Sequence, residues 1–199
     1  MPEKLEKKRR VLELGFALGL ALTVLLTALA AHRRRVADRV CADTVRLHIL
    51  ANSDTLEDQL LKLQVRDAIL EALPETVLQA DDTAEAEAAL RQALPALHLA
   101  AQRALYKAHS PQTARLRLEQ LDFAARDYGS FTLPGGRYTA LRVELGDAKG
   151  HNWFCVLYPA LCVSGAQAAY PTREENALVF GRYEVRLAVV DAVKNLLFS

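Results

Sequence analysis

Alternation of apolar and polar residues predicts several β-strands in this chain. In residues 44–50, Val45, Leu47 and Ile49 alternate with polar side chains, the pattern of a strand with one buried face. Further strands are predicted for residues 113–121, 138–145 and 153–158. The last of these is almost continuously apolar, which is typical of a strand buried on both faces. Because only a hairpin-sized connection joins the last two strands, we expect them to pair antiparallel.

Helical spacing of apolar residues predicts helices between the first two strands. Residues 55–73 follow a turn in which Asp54 and Glu57 have the spacing of a box-like helix cap. Residues 83–109 are rich in alanine, and Pro95 in their middle predicts two consecutive helices because proline lacks a backbone donor. Residues 183–198 fit both a strand and a helix pattern, and their length favours a helix.

These elements predict an α+β fold. We expect a small, mainly antiparallel sheet of about four strands packed with three to four helices. An N-terminal transmembrane or signal segment precedes this domain.

The N-terminal segment has the composition of a helix that enters a membrane. Residues 14–31 form an uncharged apolar run of 18 residues after five basic residues, nearly enough to span a bilayer at about 1.5 Å per residue. An A-x-A pattern at 28–30 favours cleavage, whereas the length of the run and the basic residues 33–35 favour an anchor. Residues 1–37 are therefore predicted as a signal peptide or membrane anchor, and residues 38–199 as an extracytoplasmic domain.

Charge and motifs exclude several function classes. Residues 1–35 carry eight basic and three acidic residues, and the remainder carries 17 basic and 21 acidic residues. The mildly acidic domain does not suit nucleic-acid binding, which needs a concentrated basic surface. The sequence has no G-x-S-x-G, H-E-x-x-H, C-x-x-C or glycine-rich phosphate loop. We expect no metal, no cofactor and no small-molecule substrate.

The cysteines leave two alternatives open. In one continuous strand, Cys155 and Cys162 would lie about 23 Å apart on opposite faces. Pro159 lies between them and can supply the bend that a disulfide requires. A disulfide between Cys155 and Cys162 and a pair of buried thiols are both compatible with the sequence, and Cys41 is left unpaired in either case.

Two composite motifs resemble the signatures of the stage II sporulation protein R family. The first comprises residues 46–54, 57–59, 61–62 and 65–68. The second comprises residues 134–136, 138, 140–142, 146, 150, 152–153, 155–157, 159 and 161–162. A pattern of this length is far more specific than a short catalytic motif. The chain departs from the family pattern at Phe154, where a second tryptophan is expected.

The resemblance implies a role in communication between the two compartments of a sporulating bacterium. It implies a protein made in the forespore and exported into the space between the sporulation membranes. There it would activate a membrane-embedded aspartic protease of the mother cell, which cleaves the precursor of the early mother-cell sigma factor. In this interpretation the protein is an activator and not an enzyme.

Five residues near the two motifs are predicted to contact the protease: Asn52, Asp54, Lys62, Arg66 and Trp153. Tryptophan and arginine are the residue types that most often anchor interfaces. The alternative roles are structural. Asn52 and Asp54 suit a turn and a helix cap, the two basic residues suit a solvated face, and Trp153 suits the core.

Two other classes of function are compatible with the sequence. The first is a membrane-anchored cell-envelope hydrolase acting through His48, Asp54 or Cys155. The second is a structural envelope protein without a signalling role. An enzyme needs its catalytic groups close together, whereas an activator acts by occupying its partner.

Overall fold

The computed structural model describes residues 2–161 and 170–181, with side chains from residue 6 onward. The elements in chain order are α1 (Pro2–Ala42), β1 (Val45–Leu50), α2 (Leu56–Glu71), α3 (Glu75–Leu78), α4 (Thr83–Lys107), β2 (Ala114–Phe123), β3 (Arg126–Asp127), β4 (Thr132–Leu133), β5 (Gly136–Leu145), β6 (Asn152–Tyr158) and α5 (Arg173–Phe180). The predicted α+β class is confirmed. Residues 183–198, whose type the sequence left open, lie outside the described residues.

Four strands form one mixed sheet in the order β2-β5-β1-β6. Strand β1 pairs parallel with β5 and antiparallel with β6, and β2 pairs antiparallel with β5. The expected pairing of β5 with β6 is therefore wrong, because β1 lies between them. Leu47 of β1 faces Leu141 on one side and Cys155 on the other. The connection 146–151 is long enough to cross the end of one strand, since neighbouring strands are about 4.8 Å apart.

The first face of the sheet carries the larger core. Every second residue of β1 lies on this face, and α2, α3 and α4 cover it. Its buried members are Val45, Leu47, Ile49, Leu61, Val65, Ile69, Leu73, Val77, Ala86, Leu90, Leu97, Ala101, Leu105, Ala114, Leu141, Val143, Leu145, Cys155 and Leu157. The period-two pattern of β1 thus predicts the residues of this face correctly, although the opposite face of β1 is covered as well.

The second face of the sheet is also covered over part of its area. The end of α1, helix α5 and the short β3–β4 hairpin contribute to a smaller cluster of Val40, Phe131, Leu133, Val156, Tyr170 and Val179. Strands β3 and β4 are two residues each and pair antiparallel. Because β6 contributes Cys155 to one core and Val156 to the other, its continuous apolar pattern has a direct structural reason.

Helix α4 continues through Pro95, so the predicted break into two helices is wrong. Leu90 and Leu97 lie on either side of the proline and are both fully buried in the larger core. Pro95 and Arg91 are both exposed. Because proline has no backbone N–H, the Arg91 carbonyl lacks its usual hydrogen-bond donor four residues later in the helix. Water can therefore satisfy that carbonyl while burial holds both halves of the helix on the sheet.

The N-termini of α2 and α4 are capped by side chains. Thr55 caps α2 by accepting a hydrogen bond from the Asp58 amide at 3.3 Å, so the expected cap at Asp54 is displaced by one residue. Asp82 caps α4 and accepts from the Glu85 amide at 2.8 Å. Aspartate is among the residue types preferred at helix N-caps.

Helix α1 extends without interruption from the apolar segment into the domain. Its apolar stretch is long enough to cross a membrane, and none of that stretch is buried against the protein. Its last turns pack Val36 and Val40 against the domain, and Arg39 donates to Glu174 at 2.7 Å and Glu175 at 3.0 Å. The predicted domain boundary after residue 37 therefore lies within a continuous helix.

We predict that Pro95→Ala stabilises the protein. Alanine restores the donor to the Arg91 carbonyl and is a better helix former, by about 3 kcal/mol in a helix interior. Alanine also gives the unfolded chain more conformational freedom than proline does, and this reduces the gain in folding stability by about 1 kcal/mol. The expected net gain of about 2 kcal/mol is measured by urea unfolding of the full chain in detergent micelles.

Pro74→Ala is the matched control for this prediction. Pro74 lies at the N-cap of α3 with φ −71°, a conformation that suits proline. This change should give no gain in stability. A lower unfolding midpoint for Pro95→Ala than for the unchanged protein would contradict the account of α4.

Candidate functional site

Asn52 joins the end of β1 to α2 and to the β5–β6 connection. Its side-chain amide donates to Asp58 Oδ2 at 2.9 Å, and its Oδ1 accepts from the Asp147 backbone amide at 2.9 Å. Its backbone oxygen accepts from the Lys149 amide at 3.1 Å. Gly146 has φ +53°, and a Cβ there would collide with the Asn52 side chain. The two motifs of the sequence therefore pack against each other at Asn52.

Asp58 is the acceptor at the centre of this arrangement. Ser53 Oγ and Gln112 Nε2 each donate to it at 2.5 Å, in addition to Asn52. These donors, above all the Ser53 hydroxyl, lower the pKa of Asp58, while burial opposes the shift. A buried carboxylate with three side-chain donors fixes the start of α2 relative to the rest of the domain.

Lys62 and Asp54 both hold His151 in the β5–β6 connection. Lys62 is only 5% exposed and donates to the His151 carbonyl at 2.9 Å and to Gln59 Oε1 at 2.6 Å. The interpretation of Lys62 as part of a solvated face is therefore wrong, and burial lowers its pKa. Asp54 Oδ1 accepts from the amide and ring of His151 at 2.5 Å, which lowers the pKa of Asp54. We call Asn52, Asp54, Asp58, Lys62 and His151 the latch.

Beside the latch, a groove of about 630 Å³ follows β6, one of the two edge strands of the four-stranded sheet in the described part of the chain. We call it the edge groove, and its lining residues are Arg66, Asp67, Leu70, Arg126, Asp127, Tyr128, Phe131, Asn152, Trp153, Phe154 and Cys155. Of the five predicted contact residues, Arg66 and Trp153 line it. The Arg66 guanidinium lies 5.1 Å from the Trp153 ring centre and pairs with Asp67 at 2.7 Å. The other three predicted residues belong to the latch.

A cluster of cationic and aromatic side chains occupies the second face of the sheet beside the groove. Arg46 is 1% exposed, and its guanidinium carbon lies 4.1 Å from the Phe123 ring centre. His48 stacks on Phe154 with ring centres 4.7 Å apart. Burial lowers the pKa of His48, and Asn152 opposes this shift. Burial therefore favours the neutral form of the His48 imidazole.

The three groups proposed for a hydrolase do not form one site. His48 lies on the second face of the sheet, whereas Cys155 lies in the larger core on the first face. Asp54 lies beyond the end of β1 and pairs with His151. In residues 2–161 and 170–181, no three His, Cys, Asp or Glu side chains are grouped so that they could hold a metal ion.

The cysteines differ in chemical state. Cys155 is disulfide-bonded, whereas Cys41 is a free thiol buried where α1 meets β5. Burial raises the pKa of Cys41. Cys162 lies outside the described residues, so the predicted Cys155–Cys162 bridge stays a prediction.

The sequence pattern does not single out Arg46, Phe123, Arg126 or Tyr128 as site residues. Arg46 occupies a polar position in the alternating pattern of residues 44–50, and that pattern predicts the solvent side for polar positions. The continuous apolar pattern of residues 153–158 was the available signal, because it requires cover on both faces of the sheet. The residues that cover β6 on the second face of the sheet also cover its neighbour β1, and Arg46 is therefore buried.

The structure is an α+β domain carried on a helix of membrane-spanning length, with a groove along β6. Residues 41–168 match the family described as stage II sporulation protein R, and the chain belongs to that family. It is similar to the stage II sporulation protein R of Bacillus subtilis (strain 168), with 36% identity over 118 residues. The match covers 59% of this chain, and the chain spans about half (53%) of that relative. No solved structure matches.

We predict that Asp58→Asn destabilises the protein in a pH-dependent way. The neutral amide loses charge-assisted hydrogen bonds, each contributing about 1.5 to 3 kcal/mol. Because the folded pKa of Asp58 is lowered, its contribution is complete above the unfolded value of about 3.9 and is lost as the pH falls through the folded value. The stability difference between Asp58→Asn and the unchanged protein should be largest near pH 7 and shrink below about pH 4.

Urea unfolding at several pH values, followed by Trp153 fluorescence, measures this difference. Glu71→Gln is the control, because Glu71 is exposed on the same helix. It should change stability little at any pH. An equal destabilisation by Asp58→Asn at pH 3 and pH 7, values chosen to bracket the usual aspartate pKa of about 3.9, would contradict the role given to the carboxylate.

We predict that one of the three cysteines reacts with an alkylating reagent in the denatured, unreduced protein purified from an oxidising compartment. The reactive residue should be Cys41, since Cys155 is disulfide-bonded. Mass spectrometry of the labelled chain measures the count, and Cys41→Ser should abolish labelling. Labelling of Cys162 in the unreduced protein would exclude the predicted bridge.

Proposed function

We propose that this protein is an exported sporulation signal that activates a membrane-embedded aspartic protease of the mother cell. Activation leads to cleavage of the precursor of the early mother-cell sigma factor. The protein acts from the space between the sporulation membranes, with α1 as its export segment or anchor. Membership of the stage II sporulation protein R family carries this proposal.

The chemistry of the described residues supports an activator over a hydrolase. His48, Asp54 and Cys155 are at three separate places, and Cys155 is disulfide-bonded rather than a free nucleophile. The exposed Asp54–His151 pair resembles part of a catalytic arrangement, but the neighbouring Ser53 hydroxyl donates to Asp58. A nucleophile needs to be within hydrogen-bond reach of its base. The latch residues instead shape the backbone that leads into the edge groove.

The edge groove is the proposed contact surface for the protease. It combines Trp153, Tyr128 and two arginines, the residue types that dominate the energetics of protein interfaces. Arg66 stacks beside Trp153 with its side chain 26% exposed, so the pair offers a flat aromatic surface with a cationic rim. Asn52, Asp54 and Lys62 contribute indirectly by holding the β5–β6 connection.

Co-expression in a non-sporulating host tests this proposal. The full chain is produced with the protease and the sigma precursor, and precursor cleavage is followed by gel. Cleavage should require both this chain and the protease and should saturate as the amount of this chain increases. Cleavage that is unaffected by this chain would overturn the proposal.

Two substitutions separate the activator from the hydrolase in the same assay. His48→Gln should retain cleavage, because an activator does not depend on one proton-transferring group, whereas an enzyme using His48 would lose about 100-fold or more. Arg66→Glu should reduce cleavage about tenfold or more by reversing the charge beside Trp153. Arg117→Glu is its control, since Arg117 is exposed on β2 at the opposite edge of the sheet. Equal effects of the two charge reversals would exclude the edge groove as the contact surface.

A further inference from the structure

Arg46 carries a buried positive charge without a carboxylate partner in the described part of the chain. Its side chain is 1% exposed at the centre of the sheet, and none of the ion pairs among the described residues involves it. Nη2 donates to the Tyr128 hydroxyl at 2.8 Å. Nε and Nη1 are buried without a hydrogen-bond acceptor. Arginine keeps its charge in proteins, and buried charges are normally paired.

The aromatic rings around Arg46 compensate only part of this cost. The guanidinium carbon lies 4.1 Å from the Phe123 ring centre, 4.9 Å from that of Tyr138 and 5.9 Å from that of Phe154. Such contacts favour the cation through the ring faces, by about 2 kcal/mol when desolvated. A ring face supplies no strong acceptor for N–H groups, so the two nitrogens still need one.

A cavity of about 110 Å³ borders Arg46. Its walls are Arg46, Phe123, Ala124, Ala125, Arg126 and Phe154. Two of these residues are cations and none is acidic. The Arg126 guanidinium lies over the Phe154 ring at 4.6 Å. A site lined by two arginines and two aromatic rings has the charge to attract an anion and the volume to hold a carboxylate.

The cavity adjoins the edge groove, because Arg126 and Phe154 line both. The acidic residues of the groove have partners of their own. Asp67 pairs with Arg66 at 2.7 Å, and Asp127 accepts from the Gly129 amide at 2.7 Å. A polypeptide lying in the groove can therefore place one side chain or its terminus in the cavity without meeting an acidic wall.

We infer that the cavity beside Arg46 is a carboxylate-binding site that receives one acidic group of a polypeptide bound in the edge groove. The carboxylate supplies acceptors to the Arg46 guanidinium and pairs with the charge of Arg126. The identity of that polypeptide as the protease rests on the proposed function, whereas the binding chemistry does not. The acidic group can be an internal acidic side chain or a free C-terminus, because both carry a carboxylate.

Nuclear magnetic resonance of the arginine Nε–H groups tests the site in the full chain in detergent micelles. Arg46→Lys assigns the Arg46 signal by removing it. Three probes are titrated at constant ionic strength: a blocked tripeptide with a central glutamate, its glutamine analogue, and a peptide with a free C-terminal carboxylate. A saturable shift of the Arg46 signal with either carboxylate peptide, and none with the glutamine peptide, is the expected result. The first and third probes distinguish a side chain from a terminus.

Two outcomes of this titration would contradict the inferred carboxylate site. If neither carboxylate peptide moves the Arg46 signal in a saturable way, or if the glutamine peptide moves it equally, the cavity is a hydrated void and the inference fails. Arg46→Met and Arg117→Met complete the test, since both remove one positive charge from the same face of the sheet. Arg46→Met should weaken carboxylate-peptide binding about tenfold or more, and Arg117→Met should leave it unchanged.

Folding of both variants is checked by Trp153 fluorescence and by the unfolding midpoint. Replacing an uncompensated buried charge with an apolar residue of similar length is often neutral or stabilising, so Arg46→Met should fold. In the co-expression assay, Arg46→Met should reduce precursor cleavage about tenfold at limiting expression. Peptide binding without chain-dependent cleavage would reject the proposed function alone, and chain-dependent cleavage without peptide binding would reject the carboxylate site alone.

Discussion

Strand β1 hydrogen-bonds to β5 on one side and to β6 on the other, and the rest of the domain depends on this double pairing. Its register places Leu47 in the larger core and Arg46 on the second face. A shift of one residue would exchange these two side chains and place a charge among the helices. The strand therefore determines both the core and the chemistry of the opposite face.

The end of β1 organises the polar part of the structure. Asn52 satisfies groups on α2 and on the β5–β6 connection, and Lys62 and Asp54 complete the attachment through His151. This connection leads directly into Asn152 and Trp153, which form part of the edge groove. Buried polar networks contribute most when every member has a partner. The latch thus gives the groove a defined wall although none of its own residues lines the groove.

Helix α1 links the apolar N-terminal segment to the domain through packing as well as through the chain. Val40 belongs to the smaller core, and Arg39 pairs with Glu175, whose side chain is fully buried at the start of α5. Thr44 adds a hydrogen bond to the Tyr170 hydroxyl at 2.9 Å. These contacts restrict the hinge motion that a flexible linker would allow. If α1 stays in a membrane, the domain has a defined direction relative to that membrane.

Local pattern is enough to predict a strand at residues 44–50, a helix near residues 55–73, the apolar N-terminal segment and the family, because alternation, caps and motifs depend on neighbours along the chain. It could not predict that β1 separates β5 from β6, because strand order depends on residues about 90 positions apart. The continuity of α4 through Pro95 likewise depends on burial of both halves of the helix. Residue type singles out Arg66 and Trp153, which line the edge groove, but it does not single out Arg46. Whether a polar position on a strand faces water or a covered surface is decided by what packs over it, and only the tertiary structure contains that information.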